Sequence, residues 1–310
     1  MKIKDILKWG IAIIISVVLV YILLAETDVN KIIETIRNVN LFYLGLFLLF
    51  YFLLMVLRSV RFRKVLGNKL SLNQLLPIVL FQNLLLNVIP FRIGELSYIY
   101  YVKKIGKQSY HKGISTLIIT KVFDLAILIT LFIIAVISLG KERLPEFANF
   151  IPFLIFFLVL MFSVLLLLIY PQKLLLSLAT KLEKFILTKT NKFNFITGNL
   201  KKLIKAFEDF KSPSLLINTL ILSILISVLG FSGFYFAIVS LGFYLPIAVL
   251  IIGSTFSVLA NLLPVNGVAG LGIVEGIWAL VLTLFGYSLE EAIVLGFSLH
   301  IIQLVAIIIM

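Results

Sequence analysis

This sequence predicts an all-α polytopic membrane protein of about six spanning helices and two re-entrant helical hairpins, arranged as an inverted repeat. Three observations predict it. The first is composition: 62% of the 310 residues are hydrophobic and 13% charged, with a mean hydropathy of +1.18, whereas soluble domains are about 45 to 50% apolar and about 25% charged. The second is where the charge lies. The lysines and arginines behind the net +13 gather in a few segments between apolar runs, as orientation in a bilayer requires, which removes the nucleic-acid reading such a charge would carry in a soluble protein. The third is a repeated interruption, Asn-x-x-Pro, at Asn87 and Pro90 and again at Asn261 and Pro264.

The chain reads as one membrane domain, 1–310. Apolar runs long enough to span lie at Trp9–Ala25, Leu41–Leu57, Gly113–Leu139, Phe150–Tyr170, Ser214–Val239 and Ser288–Met310. Met1 to Glu26 has the basic start and apolar stretch of a signal peptide without a small-x-small cleavage site, so it reads as an uncleaved first span. With the N-terminus inside, segments 1–8, 58–69, 103–112 and 171–211 hold 21 of the 27 lysines and arginines. The outer segments hold four, Lys31, Arg37, Lys141 and Arg143, and the other two, Arg92 and Lys121, fall within membrane segments. This bias predicts a cell-membrane protein with both termini cytoplasmic.

The first hairpin begins at Leu72. The run to Ile89 almost crosses a core of about 30 Å, but Pro90 lacks an N–H and pushes Ile89 out of the helical region, while Asn87 is placed to satisfy backbone groups freed by the break. Arg92 to Val102 is too short to span and puts Arg92 and Glu95 on one helical face. Lys103, Lys104, Lys107 and Lys112 follow, matching the basic run RSVRFRK before the hairpin, so the chain leaves on the side it entered. The second hairpin, NLLPVNGVAGLGIVE from Asn261 to Glu275, repeats the plan with a longer, glycine-rich loop. Lys121-x-x-Asp124 after the first acid is echoed by His300-x-x-Gln303 after the second.

Three spans separate the hairpins, and an odd number turns the second upside down, giving inverted halves at 9–139 and 150–310. Broken helices meeting near the midplane are common in secondary transporters. The linkers differ: Asp28–Asn40 is a short amphipathic outer stretch, whereas Pro171–Lys211 carries nine lysines among Leu, Ile and Phe, suiting one or two helices on an anionic inner leaflet. Charges at membrane depth cost about 2.5 to 3.5 kcal/mol each on the insertion scale, so Arg92, Glu95, Lys121, Asp124 and Glu275 are expected to pair. Spacing i, i+3 predicts Arg92 with Glu95 and Lys121 with Asp124, leaving Glu275 to face His300 or Arg92. The bland alternative is that such pairs only glue helices together.

Four stretches, LRSVRFRKVLG (57–67), NVIPFRIGEL (87–96), TKVFD (120–124) and PVNGVAGLGIVEG (264–276), resemble the transmembrane region of the lysylphosphatidylglycerol synthases and the stand-alone flippase-like proteins related to it. Asn87, Pro90, Arg92, Gly94 and Glu95 match the family's most specific string, and Pro264, Gly267, Gly270, Gly272 and Glu275 its second motif. Lys121 departs from the arginine common there and is a poorer bidentate clamp for phosphate. The resemblance implies the lipid-moving half without the aminoacyl-transferase domain, hence translocation of an anionic phospholipid or a polyprenyl-phosphate-linked lipid between leaflets. The expected headgroup pocket comprises Asn87, Pro90, Arg92, Glu95, Lys121, Asp124, Asn261, Pro264, Glu275, His300 and Gln303. Arg92 and Lys121 would hold phosphate, helped by helix N-termini near Arg92 and Leu271. With no cysteine and only two histidines, no metal cluster or activated nucleophile is evident; no enzyme activity and no cofactor are expected, and membrane lipids are the expected partners. A secondary transporter of a small solute, or a non-transporting subunit supporting lipid or glycan assembly, are the alternatives.

Overall fold

A computed structural model describes residues 3–89, 93–140, 145–186, 191–262 and 268–310. In order, the helices are α1 (Ile3–Ala25), α2 (Val29–Arg37), α3 (Leu41–Val65), α4 (Leu72–Val88), α5 (Ile93–Lys104), α6 (Tyr110–Leu139), α7 (Pro145–Ile169), α8 (Gln172–Ile186), α9 (Asn191–Ala206), α10 (Pro213–Ser240), α11 (Ile247–Leu262), α12 (Ile273–Leu284) and α13 (Leu289–Ile309). No strand occurs among the described residues. Five helices are long and apolar enough to cross a membrane, and a sixth if α1 and α2, bent by 90° at their junction, count as one. The protein is thus a multi-pass helical membrane protein. Its apolar outer faces fit that setting, for example Phe150, Phe153 and Phe156 exposed along α7.

Local signals place the helix ends. Asp28 caps α2, Asn40 caps α3 and Ser109 caps α6, each accepting from a backbone N–H of the first turn. Ser288 and Glu291 form a reciprocal capping box at the start of α13. At the first break Ile89 is extended, with φ −98° and ψ 126°, the conformation a following proline imposes. The sequence reading ended the second span at Leu57, but α3 continues to Val65. Nothing between Leu57 and Val65 breaks a helix; the stop comes where Gly67 and Asn68 take positive φ, 70° and 58°. The run RSVRFRK is therefore helix, and Arg61 within it is 2% exposed.

One order of elements occurs twice: span, short helix or helices, span, two shorter helices, span. It reads α1, α2, α3, α4 with α5, α6, and then α7, α8 with α9, α10, α11 with α12, α13. Packing follows the same plan. α3 lies along α10, α2 packs on α13 as α9 packs on α6, and α11 meets α6 as α4 meets α13. α3 and α10 run antiparallel: Asn40 donates its N–H to the Ser240 carbonyl at one end (2.7 Å), while Arg61 reaches the Ser223 hydroxyl toward the other (2.6 Å). Small residues allow the close approach, since a Cβ at Gly233 would stand 3.3 Å from Cβ of Phe50.

The arms of the helix pairs are short. At 1.5 Å per residue α4 covers about 26 Å and α5 about 18 Å, less than the roughly 30 Å of a hydrocarbon core. Each pair is tightly closed. A Cβ at Gly94 of α5 would come 2.6 Å from the Gln82 carbonyl oxygen of α4, and one at Gly253 of α11 would come 2.6 Å from the Trp278 ring of α12. The basic linker folds as two helices, α8 and α9, packed on each other. It is tied down by Gln172 donating to the Ile204 carbonyl (3.2 Å), His111 against Asn199 (3.1 Å) and Lys112 with Asp209 (2.7 Å).

Candidate functional site

The two helix pairs and the long helices α3, α6, α10 and α13 enclose a cavity of about 770 Å³. Apolar surface makes up most of its lining, and the polar groups among it are unevenly divided. From the first half come Arg58 and Arg61 on α3, Gln82, Asn83 and Asn87 on α4, Glu95 on α5, and Thr120, Lys121 and Asp124 on α6. The second half contributes Ser227 on α10, Ser254 and Ser257 on α11, and His300 and Gln303 on α13. Every formal charge on the described cavity wall belongs to the first half.

Among the described residues, the charges on the cavity wall that pair do so across helices. Asp124 accepts a two-pronged ion pair from Arg61, with Nη2 to Oδ2 at 2.8 Å and Nη1 on Oδ1, and Nη1 also reaches the Ser223 hydroxyl. Lys121 pairs with Glu95 of α5. This corrects the expected i, i+3 pairing of Lys121 with Asp124. The planar fork of arginine matches a carboxylate better than an ammonium does, and burial of Arg61 at 2% exposure demands a full counter-charge. The Lys121 and Glu95 side chains are wetter, 39% and 27% exposed.

The acid of the second half behaves differently. Glu275 is fully buried; one oxygen meets His300 Nδ1 at 2.8 Å and the other accepts the Gly272 N–H at 2.8 Å. Gly272, at φ +84°, makes a turn that an L-residue resists, and Gly296 lets α13 close over the acid, since a Cβ there would lie 3.1 Å from Glu275 Cα. Glu275 thus faces His300, one of the two expected partners. It also occupies the N-terminus of α12 itself, so that helix end is not open to a ligand as the sequence reading expected.

The remaining expected residues divide as follows. Asn87 lines the cavity, and its amide donates to the Asn83 carbonyl one turn back (2.8 Å). Asn83 in turn donates to the Tyr51 hydroxyl. Gln303 lines the cavity beside His300. Pro90, Arg92, Pro264 and the side chain of Asn261 lie outside the described residues, so the expected Arg92 and Glu95 pair does too.

The sequence matches the family described as lysylphosphatidylglycerol synthase TM region over residues 9–310. The chain belongs to this family. A UPF0104 membrane protein of Methanocaldococcus jannaschii is 29% identical over 220 residues, 68% of this chain and 62% of the relative, so the match spans less than two thirds of that protein's length. No solved structure matches.

In this family member the sequence reading missed Arg58, Arg61, Ser254 and Ser257. A signal existed for the arginines. With no breaker before Gly67, the helix pattern continues and puts positions 58 and 61 on one face with apolar Leu54 and Phe62, which marks a polar stripe on a spanning helix, not a loop. For the serines no signal existed, because isolated serines are ordinary in membrane helices.

Proposed function

We propose that this protein moves an anionic lipid between leaflets, the headgroup passing through the cavity while the chains stay among apolar side chains. The observation that carries the reading is a cavity of about 770 Å³ between the two short-helix pairs, with charged groups on one wall and apolar side chains over most of the rest. Each charge at that depth costs about 2.5 to 3.5 kcal/mol to insert, and a purely structural bundle could be built without it. The antiparallel run of α3 and α10 supports inverted halves, the arrangement in which one site is reached alternately from either side. Lys121 and Glu95 are the working pair. Being partly wet, they can separate, so that the phosphate of a passing headgroup takes the place of Glu95 on the ammonium. The basic α8 and α9 lie on the anionic inner leaflet, with both termini inside and the protein in the cell membrane.

Transport of acyl-labelled fluorescent phosphatidylglycerol in reconstituted vesicles, read by quenching of the outer leaflet, tests this. Wild type is expected to expose inner-leaflet lipid to quencher, and Lys121→Gln to lose most of that activity while remaining folded. Wild-type vesicles that quench no further than protein-free ones, together with purified protein carrying no lipid by mass spectrometry, would sink the reading.

A further inference from the structure

We infer that Arg58, which the expected pocket does not include, is the seat of a single phosphodiester group. The inference rests on the cavity being a binding site and deepens the proposed function by naming the contact and the ligand's charge. Arg58 sits on α3, three residues before Arg61 and on the same helical face, and lines the cavity with it. As the structure stands, Arg61 is held by Asp124 and Ser223, and Lys121 by Glu95. Arg58 makes no hydrogen bond or ion pair among the described residues. The carboxylate nearest in its electrostatic surroundings is Asp124, whose two oxygens Arg61 already holds.

Among the described residues the ionised groups on the cavity wall are Arg58, Arg61 and Lys121 against Glu95 and Asp124. Two pairs cancel and one positive charge remains, on Arg58. A phosphodiester carries one negative charge and balances it; a phosphomonoester carries about 1.5 to 2 at neutral pH and overshoots. An uncompensated guanidinium against a largely apolar cavity wall is costly, and its fork suits two phosphate oxygens.

Further unfilled groups share the cavity. The Gln82 side chain makes no hydrogen bond among the described residues, with the residue 6% exposed. Ser254 and Ser257, each 8% exposed and one helical turn apart on α11, keep hydroxyls without a partner. Buried polar groups are ordinarily satisfied, and two unpartnered hydroxyls with the unbonded Gln82 amide, in the cavity that Arg58 also lines, describe a place for an oxyanion. Phe47, Leu54 and Phe62 of α3 line the same cavity and provide the apolar surface that a lipid, unlike free phosphate, requires.

The test is equilibrium binding to the full-length protein in neutral detergent, with phosphatidylglycerol, phosphatidylcholine and inorganic phosphate as separate probes, for wild type, Arg58→Gln, Arg58→Met and Arg58→Lys. Phosphatidylglycerol should bind wild type and weaken by about tenfold to a hundredfold in the Gln and Met variants, the range of a lost charge-assisted contact, with Lys between. Thermal unfolding of the Gln and Met variants should be unchanged or higher, because an unpaired buried charge has been removed. Binding that survives Arg58→Gln and Arg58→Met overturns the assignment, as does a marked fall in unfolding temperature with affinity intact, the mark of a structural residue. Inorganic phosphate binding through Arg58 while phosphatidylglycerol does not bind would keep Arg58 as an anion seat but defeat the lipid-moving reading. Lipid transport by wild type with Arg58-independent binding would do the reverse.

Discussion

The two halves of this protein use the same order of helices but assign polarity differently. In the first, the acid after the helix break, Glu95, is part-exposed and paired with a lysine, and Arg58, Arg61 and Asp124 line the same cavity. In the second, the acid in the corresponding place, Glu275, is fully buried against His300 and the backbone of Gly272, and the cavity wall there is serine, histidine and glutamine. The lesson is about cost. If one half is to slide against the other, a wall of neutral hydroxyls loses little when its contacts change, whereas charge on both walls would have to be desolvated and re-paired at every step. In the proposed transport cycle the charged half grips, and the neutral half packs and moves past.

That contrast is open to attack by substitution. The largest effect belongs to Asp124→Ala, which leaves Arg61 buried without a counter-charge and is expected to cost about 3 kcal/mol, read as a fall in the unfolding transition in detergent. The double change Arg61→Met with Asp124→Leu should recover much of it. A double variant no more stable than the single would show that the pair is not what holds α3 to α6.

On the packing side, Gly253→Ala drives a methyl into the Trp278 ring, 2.6 Å away, at an expected cost of about 1 to 3 kcal/mol. An unperturbed unfolding temperature would mean that α11 and α12 are looser than described and that the neutral half is not the tightly packed one. Glu275→Ala comes next, at about 2 kcal/mol, because His300 Nδ1 and the Gly272 N–H both lose their partner. Glu275→Gln should cost less than half as much, since its oxygen still accepts from Gly272. Equal losses for Ala and Gln would assign the acid's role to its charge and make the two halves more alike than they look.

The smallest effect lies at the surface, where Lys31 of α2 meets Glu290 of α13 at 2.6 Å. The hydrogen bond that Lys31 donates to Glu290 raises the ammonium above its ordinary value of 10.5. A raised base contributes stability that is complete below its unfolded value and is lost as pH climbs through the folded one. Wild type and Lys31→Gln should therefore differ slightly in unfolding temperature near neutrality and converge as pH rises through and beyond 10.5. A gap that persists in strong alkali would point to packing of the lysine stem instead of its charge.

Hydropathy and punctuation act locally, and so they were readable in the chain. The spans, the extended Ile89 ahead of Pro90, the helical character of the basic linker and the membrane class all follow from runs of apolar residues and from backbone chemistry within a few positions. The pairing of charges was not readable in the same way. Lys121 and Asp124 have ideal spacing for each other, yet Lys121 reaches back 26 residues to Glu95 and Asp124 reaches 63 residues to Arg61. Helix register across an interface chooses partners by reach and by how much water each can keep, and no window of sequence contains that. Arg58 and Arg61 illustrate the boundary between the two kinds of knowledge. Their helical spacing was written in the chain, but only the packing of α3 against α6 and α10 decided that one arginine would be neutralised and the other left facing the cavity.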